Sequence, residues 1–291
     1  MKISYFLILL FLALQLYSAQ IKTKFATFVF NEKNGEISWV IRNKDNAKAV
    51  ISTKNHYLMM NLTNDFKSNA SLDKVIKIQK SKNSFTFSCI NEKLPQIIIQ
   101  KRYFLVNDTL YREFTFINNS SEKRYIIPFT DVNFEKSVFD KAYYFGAGYL
   151  GPYQPVAKVS SPTRVEKYVQ SSKGMVLINP NKKIGSFANI RVKINNTVVW
   201  PWWQSTIGRY REMEDRLYYL PNGWKMCLGT LDMEKNGGKI VYTDLMAFFH
   251  GDLLNFFDDI MLKNPDFVKV SVKVKDVFSD FHESSLLLLP N

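Results

Sequence analysis

A strict two-residue alternation constrains this chain more than any other feature. In "VKVSVKVK", Val268, Val270, Val272 and Val274 alternate with Lys269, Ser271, Lys273 and Lys275; in "NSFTFSCI", Phe85, Phe87 and Cys89 alternate with Thr86 and Ser88. Successive residues of a strand face opposite sides of a sheet, so this period makes one dry and one wet face, whereas a helix would scatter the same residues around its axis. The same reading gives strands over 24–30, 36–42, 57–62, 96–106, 109–118, 123–129, 174–178, 185–192, 217–220, 223–229 and 239–249. The links between them are short and turn-rich: "NEKNGE", "VNDT", "INNSSEK", "PNGW" and "EKNGG". Many short strands with such turns imply an all-β fold, a large antiparallel β-sandwich or a barrel built from hairpins. One segment departs from the pattern. In "GDLLNFFDDIMLKNP", Leu253, Phe256, Phe257, Ile260 and Met261 recur at helical spacing between Asp252, a possible N-cap, and Pro265, which predicts one short amphipathic helix over 252–262 near the C-terminus. With no repeat and no break in composition, residues 20–280 read as one domain and 281–291 as a tail or the start of a linker.

The first nineteen residues have another purpose. "MKISYFLILLFLALQLYSA" places Lys2 before an apolar run from Tyr5 to Leu16 and ends on Ser18 and Ala19, the layout of a signal peptide spanning residues 1–19. The run is too short for a confident membrane span, so the expected protein is exported, periplasmic or extracellular, with no stable span after cleavage. The formal net charge of +13 is spread along wet strand faces rather than gathered in a patch. Scattered lysines of this kind keep sheets soluble and guard their edges, and together with export they argue against a nucleic-acid partner. The two cysteines, Cys89 and Cys227, lie far apart inside apolar strand patterns, which favours two buried thiols and leaves a disulfide open. His56, His250 and His282 have no paired spacing, and nothing in the chain implies a metal or a cofactor.

No phosphate-binding loop, nucleophile elbow or zinc motif occurs: Gly146, Gly148 and Gly151 lack the spacing of a dinucleotide site. What remains is aromatic residues beside charged ones. Four of the five tryptophans fall between Trp200 and Trp224, alongside Arg209, Arg211, Glu212, Glu214, Asp215 and Arg216, and a second aromatic stretch, "YYFGAGYLGPYQP", carries Tyr149 and Tyr153. A pyranose has an apolar face that stacks on Trp or Tyr and a hydroxyl rim that takes forked donors and acceptors, so this composition suits sugars. It also suits the core of a wide sandwich, which is the simpler account of Trp200, Trp224, Tyr144 and Phe145. Trp202 and Trp203 differ, because adjacent residues of an extended segment face opposite sides and cannot share one core layer. The ligand-binding set expected from sequence is therefore Trp202, Trp203, Arg209, Arg211, Tyr149 and Tyr153. They are expected to form an exposed rim, with the first four on a loop interrupted by Pro201 and Gly208.

These stretches resemble the N-terminal modules of bacterial glycoside hydrolases that adopt the galactose-mutarotase-like super-sandwich. The resemblance rests on "NGEISWVI", "GYLGPYQP", "KGMVLINP" followed by "VVWPWWQSTIG", "NGWKMCLGTLDM" and "FFHGDLLNFFDDI", and covers most of 25–277 as a layout without a catalytic signature. It implies a non-catalytic carbohydrate-associated module that binds a glycan or shapes the active site of a C-terminal catalytic barrel. Such a barrel would need about 250 residues beyond the end of this sequence. Two other readings stay open: a sugar-active enzyme in its own right, an aldose epimerase or a glycosidase, and a structural or adhesive exported β-protein. An epimerase needs a carboxylate base and a histidine acid at the anomeric centre. Glu212, Glu214 or Asp232 with His250 or His56 are the available residues, no spacing selects a pair, and the catalytic residues stay unassigned.

Overall fold

The computed structural model describes residues 19–43, 48–51, 57–61, 67–134, 139, 141–145, 150–152, 174–179, 181, 184–188, 192–199, 202–213, 216–227 and 229–249. They form β1 (Gln20–Lys22), β2 (Ala26–Asn31), β3 (Glu36–Arg42), β4 (Lys48–Ile51), β5 (Tyr57–Met60), β6 (Lys67–Asn69), β7 (Asp73–Ser81), β8 (Ser84–Asn91), β9 (Leu94–Val106), β10 (Thr109–Asn118) and β11 (Arg124–Phe134). The remaining strands are β12 (Lys141–Phe145), β13 (Leu150–Pro152), β14 (Gly174–Asn179), β15 (Ile184–Ala188), β16 (Val192–Ile194), β17 (Thr197–Val199), β18 (Trp202–Met213), β19 (Arg216–Cys227), β20 (Leu231–Met233) and β21 (Gly238–Phe249). The only other regular element among these residues is a single 3₁₀ turn at Ala70–Leu72. The helix expected over 252–262 and the alternating strand at 268–275 lie outside the described residues.

Every strand pair is antiparallel, and the strands fall into two sheets. One runs β1-β2-β3-β4-β11-β19-β18, with β5, β6 and β20 attached through β11; the other runs β13-β12-β14-β15-β21-β10-β9-β8-β7, with β16 and β17 beside β21. Aromatic side chains from the two inner faces meet between them. Phe30 stands 4.6 Å from Tyr103 and 5.5 Å from Phe85, Phe28 lies 6.1 Å from Phe248, and Tyr57 meets Phe116 edge-on at 5.1 Å. The period that predicts the strands predicts this core: β8 alternates half-buried and buried residues without a break, and Phe85, Phe87 and Cys89 are its inward set.

The turns explain how the chain reverses so often. Asn107 and Asp108, with φ of 46° and 60°, close the β9–β10 hairpin in two residues; Asn195 and Asn196, at 48° and 67°, do the same between β16 and β17. Two left-handed residues match the right-handed twist of the paired strands, and asparagine and aspartate tolerate that conformation best after glycine. Gly35 closes β2 onto β3 at φ +69°, and a Cβ there would stand 2.7 Å from the Cβ of Phe87, so glycine is required both by the backbone and by the facing sheet.

Several boundaries differ from the sequence reading. "PNGW" is not a link: β19 runs through Pro221 and Asn222 to Cys227, so the two strands expected over 217–220 and 223–229 are read as one, ending at Cys227. The strand expected over 185–192 is two, β15 and β16. The largest change concerns 202–213, expected as a loop. It is a twelve-residue strand, β18, paired along its whole length with β19. Gly208 and Asn222 do interrupt regularity, but as register shifts between Thr206 and Ile207 and between Ile207 and Arg209. Bulges absorb a glycine and a proline that an unbroken ladder would reject.

Candidate functional site

Two groups of residues carry chemistry: a charge network sealed between the sheets and β18, the strand that ends one sheet among the described residues. The network is built by the "NGEISWVI" hairpin. The turn before β3 reaches across to the facing sheet, where the Val75 amide donates to the Lys33 carbonyl at 2.9 Å. There Lys101 Nζ donates to the carbonyl of Asn34 at 2.8 Å and the Tyr103 hydroxyl to that of Gly35 at 2.8 Å. Lys101 Nζ also pairs with Glu36 Oε1 and, at 2.7 Å, with Asp73 Oδ2. Asp73 in turn accepts from the Tyr57 hydroxyl and, at 2.8 Å, from Asn91 Nδ2, while Ser68 Oγ donates to Asn91 Oδ1 at 2.6 Å. A second pair joins β10 and β21: Arg112 holds Asp244 in a fork, with Nε to Oδ1 at 2.6 Å and Nη2 to Oδ2, and Tyr242 donates to the same carboxylate.

Burial sets the electrostatics of this network. It drives the Glu36 carboxyl up to about 7 against the pull of Lys101, and it raises Tyr57 far above the usual phenol range, with Asp73 adding to the effect. Lys101 stays protonated, because Asp73 and Glu36 outweigh the burial that would discharge it. Two carboxylates around one ammonium can hold an extra proton, which a general acid needs. The network nevertheless cannot touch a sugar: the side chains of Lys101, Glu36 and Asp73 are 0% exposed. It ties β3 of one sheet to β7 and β9 of the other and belongs to the fold. Sequence reasoning missed it, although the signal was present: Lys101 and Arg112 occupy the inward phase of strands whose other inward residues are apolar, such as Ile97, Ile99, Leu110 and Phe114.

The epimerase residues fare differently. Asp232, on β20, is exposed and pairs with Lys123 Nζ at 2.9 Å, and the same ammonium reaches Glu234 at 2.9 Å, so this carboxylate belongs to a surface ion-pair cluster. Glu214, His56 and His250 lie outside the described residues. Among the described residues no group of His, Cys, Asp and Glu is arranged to hold a metal, and no helix is long and apolar enough to cross a membrane. Cys89 is a free, buried thiol, pushed up to about 12 by its burial.

The aromatic segments come together at one end of the molecule. β18 ends one sheet, β13 and β12 end the other, and β19 approaches β12 and β14 across the interface. Tyr149 and Tyr153, which bracket β13 in sequence, lie outside the described residues, so the rim is defined on the β18 side. There the strand register assigns faces. Val29, Trp39, Val50, Asn133, Gly223 and Thr206 stand in one cross-strand row, and Trp39, 37% exposed, marks that row as the outer face. Ile51, Val132, Trp224 and Ser205 stand in the neighbouring row, whose buried Val132 marks it as the inner face. Position 202 therefore belongs to the outer face and position 203 to the inner one. Past the bulge, Arg209 pairs with Leu220 and Arg211 with Tyr218, which puts positions 209 and 211 on the same side as 202.

No family model matches the chain, and no curated protein matches its sequence. Solved structures do match in fold. A variant of the GH36 alpha-galactosidase AgaA of Geobacillus stearothermophilus, in complex with 1-deoxygalactonojirimycin, superposes with a TM-score of 0.53 at 9% identity, over 84% of this chain and 42% of its own. The GH36 alpha-galactosidase AgaB of the same organism gives 0.51 at 9% identity, over 82% and 41%. A galactose mutarotase-like protein of Lactobacillus casei ATCC 334 gives 0.47 at 11% identity, over 79% and 99%. At these identities the likeness is one of fold, and this chain spans about two fifths of the two galactosidases. Its fold is the galactose-mutarotase-like super-sandwich.

Proposed function

We propose that this protein is an exported, non-catalytic carbohydrate-associated module whose β18 edge contacts a glycan or the active-site rim of a glycosidase barrel. The observation that carries the reading is the placement of positions 202, 209 and 211 on one face of the strand that ends its sheet among the described residues. At about 3.3 Å per residue, positions 209 and 211 stand roughly 20–30 Å along the strand from 202, so a glycan of several rings would meet an apolar surface for one ring face at 202 and forked donors for the hydroxyls of another at 209 and 211. The fold shared with the N-terminal domains of two alpha-galactosidases supports the glycosidase context. Of the two clusters of carboxylates around one ammonium among the described residues, that of Lys101 is sealed in the core and that of Lys123 is a solvated surface ion-pair group, which favours a binding role over catalysis by this domain alone.

The register sharpens the test. Trp202→Ala should leave the melting temperature nearly unchanged and cost glycan binding about 1–3 kcal/mol, as loss of an anchoring aromatic does. Trp203→Ala, on the inner-face position, should cost about 3–5 kcal/mol of stability. A glycan array on the full chain finds the ligand, and calorimetric titration and urea unfolding of both variants then separate the two effects. If both variants unfold early and neither loses binding selectively, the tryptophans are core and the reading fails.

A further inference from the structure

The β18–β19 ribbon sorts its charges. β11 pairs with β19 only from Gly223 to Cys227, so β18 and β19 continue beyond that point as a two-stranded arm, paired with each other from Ile207–Pro221 to Met213–Arg216. In the sequence "RYREMEDR" the charges look balanced, and a solvated turn with internal ion pairs would be the simple reading. The strand period separates them. Positions 209 and 211 fall on one face with position 216, which pairs with 213, whereas position 212, the only acid of either strand, falls on the other. Farther along the same outer face, Lys225 pairs with Gln204, and Asp131 is its neighbour on β11. Glu214 and Asp215, between the two strands, lie outside the described residues. Three arginine positions and a lysine thus share the face that carries Trp202, in a protein whose formal net charge is +13.

We infer that the glycan taken by this face is acidic, a saccharide bearing carboxylates or sulfate esters. This rests on the carbohydrate reading above and adds its ligand class. Guanidinium groups bind planar carboxylate and sulfate oxygens through two parallel N–H donors, and a face of one sign attracts a polyanion along its length. A neutral sugar needs the aromatic position but gains little from several cationic positions on one side, whereas an anionic one is attracted by them. The bulge is what makes the face basic. Were Gly208 an ordinary ladder residue rather than an unpaired one, positions 209 and 211 would fall in phase with 203 and 205, on the core side.

The test titrates the full-length mature chain with two matched pairs, polygalacturonate against neutral galactan and dextran sulfate against dextran. Wild-type protein should bind at least one polyanion more tightly than its neutral counterpart, with affinity falling as salt rises. Arg209→Glu/Arg211→Glu should weaken that binding about tenfold or more. Arg209→Gln/Arg211→Gln, measured beside it, removes the charge without inverting it and covers the case in which the swap disturbs the ribbon. The control is Lys74→Glu/Lys77→Glu, a matched two-charge swap at exposed positions of β7, the far edge of the other sheet, which should leave the affinity within about twofold. Equal losses from the arginine and lysine swaps would mean diffuse attraction to a basic protein and would overturn the assignment. Absence of binding to either polyanion overturns it too. Galactan binding that Trp202→Ala abolishes would then keep the carbohydrate reading while the acidic class fell, and silence toward all four polymers would remove both. Which polyanion binds distinguishes carboxylate from sulfate recognition.

Discussion

Replacing Glu36 by Gln should change the pH dependence of stability more than stability itself. Burial holds the Glu36 carboxyl at about 7 against an ordinary value of 4.5. Between those two values the unfolded chain has released this proton and the folded protein has kept it, so stability falls as pH rises through the window and levels off above the folded value. The groups that face it are Lys101 and Tyr103 of β9, Asp73 of β7, Cys89 of β8 and Arg112 of β10; Asp73 adds to the upward shift while Lys101 and Arg112 oppose it. At about 1.4 kcal/mol per pH unit, the displacement amounts to an upper limit of about 3 kcal/mol lost between roughly pH 4.5 and 7. Glutamine keeps the shape and cannot ionise, so the variant should lack this component and gain on the wild type by up to that amount as pH rises. Urea unfolding followed by tryptophan fluorescence, at half-unit steps of pH, gives both curves, and their difference isolates Glu36 from the histidines. Parallel curves would show that Glu36 titrates over the same pH range in the folded and the unfolded protein. A difference of opposite sign would show that attraction to Lys101 dominates burial.

Two further outcomes test the same core. Lys101→Met leaves Glu36 and Asp73 facing each other without their cation and should cost about 3–5 kcal/mol in urea unfolding; a cost under about 1 kcal/mol would mean that the carboxylates reach solvent. Cys89 is free, buried and held up at about 12, so native protein should resist iodoacetamide at Cys89 until denaturant is added, and prompt native labelling found by peptide mapping would contradict the assigned strand face.

Most of the fold was legible because the two-residue period is local and survives without knowledge of partners. β3 and β10 were read over their full spans, and the asparagine-rich turns announced where strands reverse. Short strands such as β4, β6 and β13 carry too few residues for a period to declare itself; pairing with longer neighbours makes them strands. Pro221 misled for a related reason. A proline beside asparagine and glycine reads as a turn, yet at a bulge, where the ladder already lacks a bond, it costs little. The buried ions were missed because a lysine at an inward phase is read as an error of phase rather than as the centre of a network. Its partners are distant in sequence and meet only in the fold: Asn34 of the turn before β3, Glu36 of β3 and Asp73 of β7.

The candidate edge divides along the same line. Adjacent tryptophans must face opposite ways in any extended segment, and that needed no coordinates. Which of the two faces outward, and which charges accompany it, depends on counting residues across a bulge, and a bulge is a property of two strands together. From sequence alone, Arg209 and Arg211 share the parity of Trp203, so an uninterrupted strand would have put both arginines toward the core with it. One extra residue at Gly208 reverses that parity and brings them to the side of Trp202, while Asn222 takes up the compensating shift on β19. Were Gly208 drawn into the ladder as an ordinary residue, the outer set Arg209 and Arg211 would give way to Tyr210 and Glu212, and this dependence on one unpaired residue ties the chemistry of the edge to the irregularity in its backbone.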